Sequence, residues 1–318
     1  MSTWETAFHF DSLVWDWIIA IYLFLAGMSA GSALIAIYLK RKVIEGDPAQ
    51  NGIMKAMAWL APFGIIVGLL ILVFHLTKPL EFWKIMIYYN PSSVMSMGVI
   101  LFQVYMAVLF VWIGMIFRKP IMDVLGSKFD FVETILLKLE KIENGLELFL
   151  GFLAIVLAAY TGFLLSALKT YPMLNNPVLP ILFLFSSLSS GAAASLLFGI
   201  LVFKEDSHSP SVKWVHSFER PVVLFELFVI VTFFTGLIFS GGQNEVAAWN
   251  AIGGGFWSSW FWYGVIGIGM LLPLGLNYFS PGEVKLNHGF IFVVTTLSLI
   301  GVLMLRTFVL YAGQMTVV

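Results

Sequence analysis

A chain of 318 residues that is 60% hydrophobic and only 11% charged, with a mean hydropathy of +0.94, lacks the composition of a water-soluble domain, where about a quarter of residues are charged. Its formal net charge of −1 offers no electrostatic footprint for nucleic acid or another polyanion. It has no cysteine, which excludes disulfides and iron–sulfur clusters held by this chain.

Residues 1–16 contain no Lys or Arg, and the first apolar segment is longer than a signal-peptide core, so it reads as a retained helix. Windows of about 20 apolar residues mark membrane spans. They fall at 13–39, 57–76, 93–117, 144–168, 177–203, 219–239, 256–279 and 289–311. Between the second and third lies 77–92, whose Phe82, Trp83, Tyr88 and Tyr89 suit the headgroup region rather than a ninth span. Pro62 and Pro221 fall near the predicted helix starts, and the central sections read as unbroken. The expected fold is all-α, with eight transmembrane helices.

Orientation follows from the basic residues. The loops after spans one, three, five and seven hold 12 Lys and Arg, among them Lys40, Arg41, Arg118 and Lys128, whereas the other loops and the termini hold 3. Positive-inside logic puts both termini on the outer side. Phe24-Leu-Ala-Gly-Met-Ser-Ala-Gly31 in span one is echoed by Leu184-Phe-Ser-Ser-Leu-Ser-Ser-Gly191 in span five, which suggests a parallel repeat of two four-helix bundles. The expected division is 1–143 (spans one to three with a cytoplasmic loop), 144–176 (span four, completing the first bundle) and 177–318 (the second bundle). Small residues four apart, at Gly27/Gly31, Gly64/Gly68 and Ser187/Gly191, are suited to close helix crossings.

Ionisable groups inside membrane helices are costly, so each is a functional candidate. Tyr22, His75, Tyr160 and Arg306 fall toward the outer side; Glu147, Glu219, Arg220 and Glu226 fall toward the inner side. The outer group has the donors and the base that a quinone headgroup requires, within an apolar surround. In the inner group, Glu219 and Glu226 are two helical turns apart on one face, and Glu147 would reach them from another helix. Together they read as a proton relay, with Arg220 compensating one carboxylate. Plainer readings compete: Arg306, about one turn from a helix end, snorkels to the interface; His75 caps its helix; the tyrosines belong to an interfacial belt; Glu219 and Arg220 form a surface pair.

Three function classes fit. A b-haem cytochrome needs axial His ligands inside its spans, but of five histidines only His75 lies near one. A secondary transporter, the main alternative, favours broken helices and inverted repeats. A haem-free redox subunit fits the remainder. The stretch Tyr22-Leu-Phe-Leu-Ala-Gly27-Met-Ser-Ala-Gly31-Ser, the segment Lys78-Pro79-Leu-Glu-Phe82-Trp83 with Asn90-Pro91-Ser92-Ser-Val-Met95-Ser96-Met-Gly98, and Tyr160-Thr161-Gly162 resemble the polysulfide reductase membrane-anchor family, the NrfD/PsrC-type subunits.

That resemblance implies a subunit of a bacterial inner-membrane complex, with both termini periplasmic. It would oxidise menaquinol and pass electrons to a four-cluster ferredoxin-like iron–sulfur subunit, which feeds a periplasmic molybdopterin catalytic subunit of polysulfide or thiosulfate reductase type. By resemblance, Tyr22 and Tyr160 match the quinone-site tyrosines and Arg306 the basic residue of the last helix. Glu219 and Glu226 fall at acidic positions of the sixth helix. His75 stands where relatives often carry an Asp. No metal ligand set is expected in this chain.

Overall fold

Asp16 starts the first long helix. Its carboxylate accepts a hydrogen bond from the Ile18 amide at 3.0 Å, satisfying an otherwise orphaned N–H, so helix α1 begins at Trp17 rather than at Leu13. The computed structural model describes residues 7–125 and 130–317; Lys128, counted above, lies outside them. The described residues form helices and no strand. Eight helices are long and apolar enough to cross a membrane: α1 (Trp17–Lys42), α2 (Gly52–His75), α3 (Val94–Ile116), α4 (Glu143–Ser166), α5 (Leu179–Leu201), α6 (Pro210–Ser240), α7 (Gly255–Phe279) and α8 (His288–Gln314). Odd-numbered helices run away from the end that carries both termini, here the terminal end, toward the far end.

Three expectations about the helices need correction. Asn51 accepts from the Ile53 and Met54 amides and Ser209 from Val212. These caps start α2 and α6 earlier than hydropathy suggests, so Pro62 and Pro221 lie inside their helices. Helix α8 continues to Gln314, which leaves Arg306 two turns from its end. The middle of α7 is also not regular: Trp260–Leu271 is π-helical, and the Leu272 amide bonds to the Gly267 carbonyl five residues back. Pro273 follows at once and has no amide with which to resume the α-helical ladder toward Gly269.

Helices α1 and α5 form the centre. α1 packs on α2, α4, α5 and α8, while α5 packs on α1, α2, α4, α6 and α8. The close approach of α1 and α5 depends on two glycines. A β-carbon on Gly31 would overlap the Ser187 carbonyl, and one on Gly191 would overlap the Gly31 backbone. The two copies of the sequence repeat therefore cross each other at their small residues, where backbones meet without intervening side chains.

The segment between α2 and α3 is not a span. It forms a 3-10 turn (Pro79–Glu81) and a short helix (Phe82–Ile87) with exposed apolar side chains. At the same end Gln314 fastens the N-terminal segment. Its side-chain oxygen accepts from the Val14 and Trp15 amides, each at 2.9 Å, and its nitrogen donates to the Trp15 carbonyl at 2.8 Å. Phe8 packs against Phe256, Trp257, Trp260 and Tyr311.

Candidate functional site

Near the terminal end, one aromatic ring joins two of the candidate tyrosines. The Phe102 centroid of α3 lies 6.0 Å from that of Tyr22 on α1 and 5.9 Å from that of Tyr160 on α4. Tyr160 reaches this position because Gly98 has no side chain; a β-carbon there would collide with the phenol ring and its hydroxyl. The Tyr160 hydroxyl donates to the Val94 carbonyl at 3.2 Å, a long contact for O–H···O. The Tyr22 hydroxyl makes no hydrogen bond among the described residues. Both rings are buried, so the site presents phenolic donors on an apolar wall.

His75 is placed above this cluster rather than in it. On α2, Gly68 faces the Tyr22 ring, and His75 follows two turns later on the same face, roughly 10 Å further along. Its side chain is 39% exposed and its Nε2 lies 4.0 Å from Asp16 Oδ1. Asp16 was absent from the sequence candidates. It sits six residues before Tyr22, so the α1 cap and the His75 imidazole meet at the mouth of the terminal end.

Arg306 does not snorkel. It is 0% exposed and stacks on Phe183, its guanidinium carbon 3.7 Å from the ring centroid. Its nitrogens donate to Thr161 Oγ1 (3.3 Å), the Phe183 carbonyl (3.0 Å) and Ser187 Oγ (3.1 Å). Thr161 adjoins Tyr160, and a β-carbon on Gly27 would press on Ser187 Oγ and the guanidinium. Arg306 thus ties α4, α5 and α8 together against Gly27 of α1, at the residue that follows Tyr160. Its buried Nε has no hydrogen-bond partner among the described residues.

The acidic residues divide. Glu226 is 1% exposed, its Oε1 has no hydrogen-bond partner among the described residues, and Arg306 is its coulombic counterpart. Glu219 is also buried, so it is no surface residue; Ser298 of α8 donates to its Oε1 at 2.6 Å. Glu147 does not join them, which corrects the expectation of a shared cluster. Its carboxylate is taken by Lys40, by Arg41 Nε at 2.6 Å and by Trp112 Nε1 at 3.1 Å, while Lys40 also holds Glu143 at 2.5 Å. Arg220 departs from expectation too: it is exposed, 5.8 Å over the Tyr278 ring, because its helical position turns it about 100° away from Glu219.

Among the described residues there is no group of three or more His, Cys, Asp or Glu placed to hold a metal ion. Sequence reading missed Trp112, Phe183 and Ser298 and took Ser187 only as a small residue at a helix crossing, because their hydroxyl, indole and carbonyl contacts have no signature in hydropathy. Thr161 and Gly98 lay inside quoted motifs, and packing supplies the reason for those motifs.

The family model described as "Polysulphide reductase, NrfD" matches residues 5–318. The sequence is 47% identical over 320 residues to "Protein NrfD" of Escherichia coli, covering 99% of each. It is 41% identical to a polysulfide reductase chain of Wolinella succinogenes, over 98% of both proteins. It is 24% identical to a selenate reductase subunit of Mesobacillus selenatarsenatis, spanning 85% of this protein and 67% of that one.

Proposed function

The chain belongs to the polysulphide reductase NrfD family, and from that premise we propose that it is the quinol-oxidising membrane subunit of a reductase complex. The observation that carries this reading is the Tyr22–Phe102–Tyr160 cluster, with one phenol uncommitted and the other weakly held. A quinone headgroup has two carbonyl oxygens and a flat ring. The chemistry of this donor set fits it: phenols for the oxygens, Phe102 for the ring and apolar helix faces for an isoprenoid tail.

Menaquinol, as substrate, supplies two electrons and two protons. Tyr22 and Tyr160 orient the headgroup by hydrogen bonding, and the buried Arg306 sets a positive field beneath it. His75, whose Nε2 faces the Asp16 carboxylate, takes a proton released toward the terminal end. Glu226 and Glu219 carry protons on the other side of Arg306. Glu147 and Arg220 act as structural residues, one sealing the far end as an ion cluster and the other anchoring at the interface.

A cysteine-free protein needs a partner to receive electrons, and relatives whose names make them components of polysulfide and selenate reductases support a multi-subunit assembly. The partners are a ferredoxin-like iron–sulfur subunit and, beyond it, a molybdopterin subunit. The complex sits in the bacterial inner membrane with the terminal end facing the periplasm, in keeping with the basic residues concentrated in far-end loops.

The test is quinol-dependent reduction by the purified complex. Tyr160→Phe is expected to lower turnover at least ten-fold while the complex stays assembled. Wild-type activity in that variant removes Tyr160, and wild-type complex that fails to oxidise menaquinol removes the reading.

A further inference from the structure

A cleft opens at the far end, where α1 and α3 finish and α4 begins. Its volume is about 340 Å³, in the range of small-ligand sites. Lys40 of α1, Met115 of α3 and Glu143 of α4 line it, together with Asp47, Arg118 and Lys119 from the connecting segments. Its level in the membrane follows from the link between α3 and α4, which holds two amphipathic helices, Arg118–Leu125 and Asp130–Leu139. Leu136 of the second is buried against α3, where a β-carbon on Gly114 would come within 3.4 Å of it. Gly114 lies inside the last turn of α3, which ends at Ile116, so the link runs along the membrane boundary rather than projecting from it. Val124, Ile135 and Ile142 are exposed along this link, as interfacial helices that meet acyl chains require.

The charges of the cleft divide into committed and uncommitted groups. Lys40 is held by Glu143 and Glu147, and Arg118 Nη1 by Glu140. Arg118 Nε is different: it is buried with no hydrogen-bond partner among the described residues, and Glu133 Oε1 is 4.0 Å away. Lys119 and Asp47 are exposed and form no ion pair among the described residues. An unmatched N–H and a free ammonium suit the oxygens of a phosphate, whereas a free carboxylate suits a primary ammonium. Basic pockets at this level bind anionic lipids. This one is not basic, because the carboxylates in and behind it are at least as numerous as the cations. A ligand of net negative charge therefore gains little there, and one that carries both charges is matched at each.

We propose that this cleft binds the zwitterionic headgroup of a phosphatidylethanolamine-type lipid, its phosphate on Arg118 and Lys119 and its ammonium on Asp47. The bound lipid joins the α1–α2 loop to the α3–α4 link. It does so at the far end, away from the tyrosine cluster, so the site is independent of the quinol reading.

The test titrates the delipidated full chain in detergent with phospholipids of identical acyl chains, and native mass spectrometry reads the first lipid bound. Phosphatidylethanolamine is expected to bind roughly ten-fold tighter than phosphatidylglycerol, which lacks the ammonium, or phosphatidylcholine, whose ammonium has no N–H. Lys119→Gln and Asp47→Asn remove the two uncommitted charges at little cost to the fold, since Lys119 is exposed and Asn can still cap the turn at Ala49. The double variant should keep the wild-type thermal midpoint without lipid and bind phosphatidylethanolamine roughly ten-fold more weakly. Lys78→Gln, at the terminal end, should leave binding unchanged. Equal affinity for phosphatidylethanolamine and either of the other lipids, or unaltered binding in the double variant, overturns the site. Displacement of the lipid by an equal concentration of free phosphoethanolamine would mark a soluble ligand and overturns it as well.

Discussion

The Arg306 guanidinium carbon lies over the Phe183 ring, 3.7 Å from its centroid, and the guanidinium donates to the carbonyl of the same residue. A planar cation held by both the ring and the carbonyl of one residue cannot be replaced by a compact ammonium. Arg306→Lys should therefore retain charge and assembly but lower quinol oxidation at least ten-fold, because an ammonium cannot hold the Thr161, Phe183 and Ser187 contacts together. Membrane-inserted protein level and quinol-dependent turnover, measured on the same preparation, separate the two effects.

Gly98 and Tyr160 form a matched pair. Gly98→Ala adds a methyl group where the phenol lies, so the ring must move, and such overpacking costs about 1–3 kcal/mol. The single variant should lose thermal stability, and Tyr160→Ala should relieve the clash in the double variant. A double-mutant cycle on the thermal midpoint is expected to be strongly non-additive; simple additivity would show that the two residues do not meet.

Two of the buried glutamates, Glu147 and Glu226, should fail differently. Glu147→Gln leaves Arg41 without its carboxylate and Lys40 with Glu143 alone, which weakens the ion cluster that joins α1 to α4. Its complex should be thermally weak, with near-normal turnover in the fraction that assembles. Glu226→Gln removes a proton carrier but keeps the shape of the side chain, so its complex should be stable and slow. Thermal midpoints and turnover of both variants, compared side by side, check this.

The crossing of α1 and α5 leaves no space for a β-carbon. Gly191→Ala would set a methyl group into the Gly31 backbone, pushing apart the helices that position Arg306. The expected outcome is loss of folded protein from the membrane, read as its steady-state level, whereas Gly236→Ala, with open space around it, should be tolerated.

Much of this was legible in the sequence, and for physical reasons. Hydrocarbon thickness sets span length, so eight apolar windows gave eight helices, and aromatics in an exposed link marked 77–92 as interfacial. Helix starts were less legible because single side chains decide them: Asn51 and Ser209 extend α2 and α6 past the apolar boundary. The buried groups at 219 and 226 followed from helical spacing. Partners from other helices did not. Nothing in the order of residues pairs Glu147 with Arg41 across 106 positions or gives Arg306 to Phe183, and the π-helical turn of α7 has no hydropathy signal.

Photoaffinity labelling of the intact complex with an azido-menaquinone analogue, followed by peptide mapping, tests the central claim most directly. Label is predicted on peptides holding Tyr22, Phe102 and Tyr160, displaced by excess menaquinone and lost in the Tyr22→Phe/Tyr160→Phe double variant. Label confined to the outward-facing surfaces of the helices, with no competition by menaquinone, would contradict it.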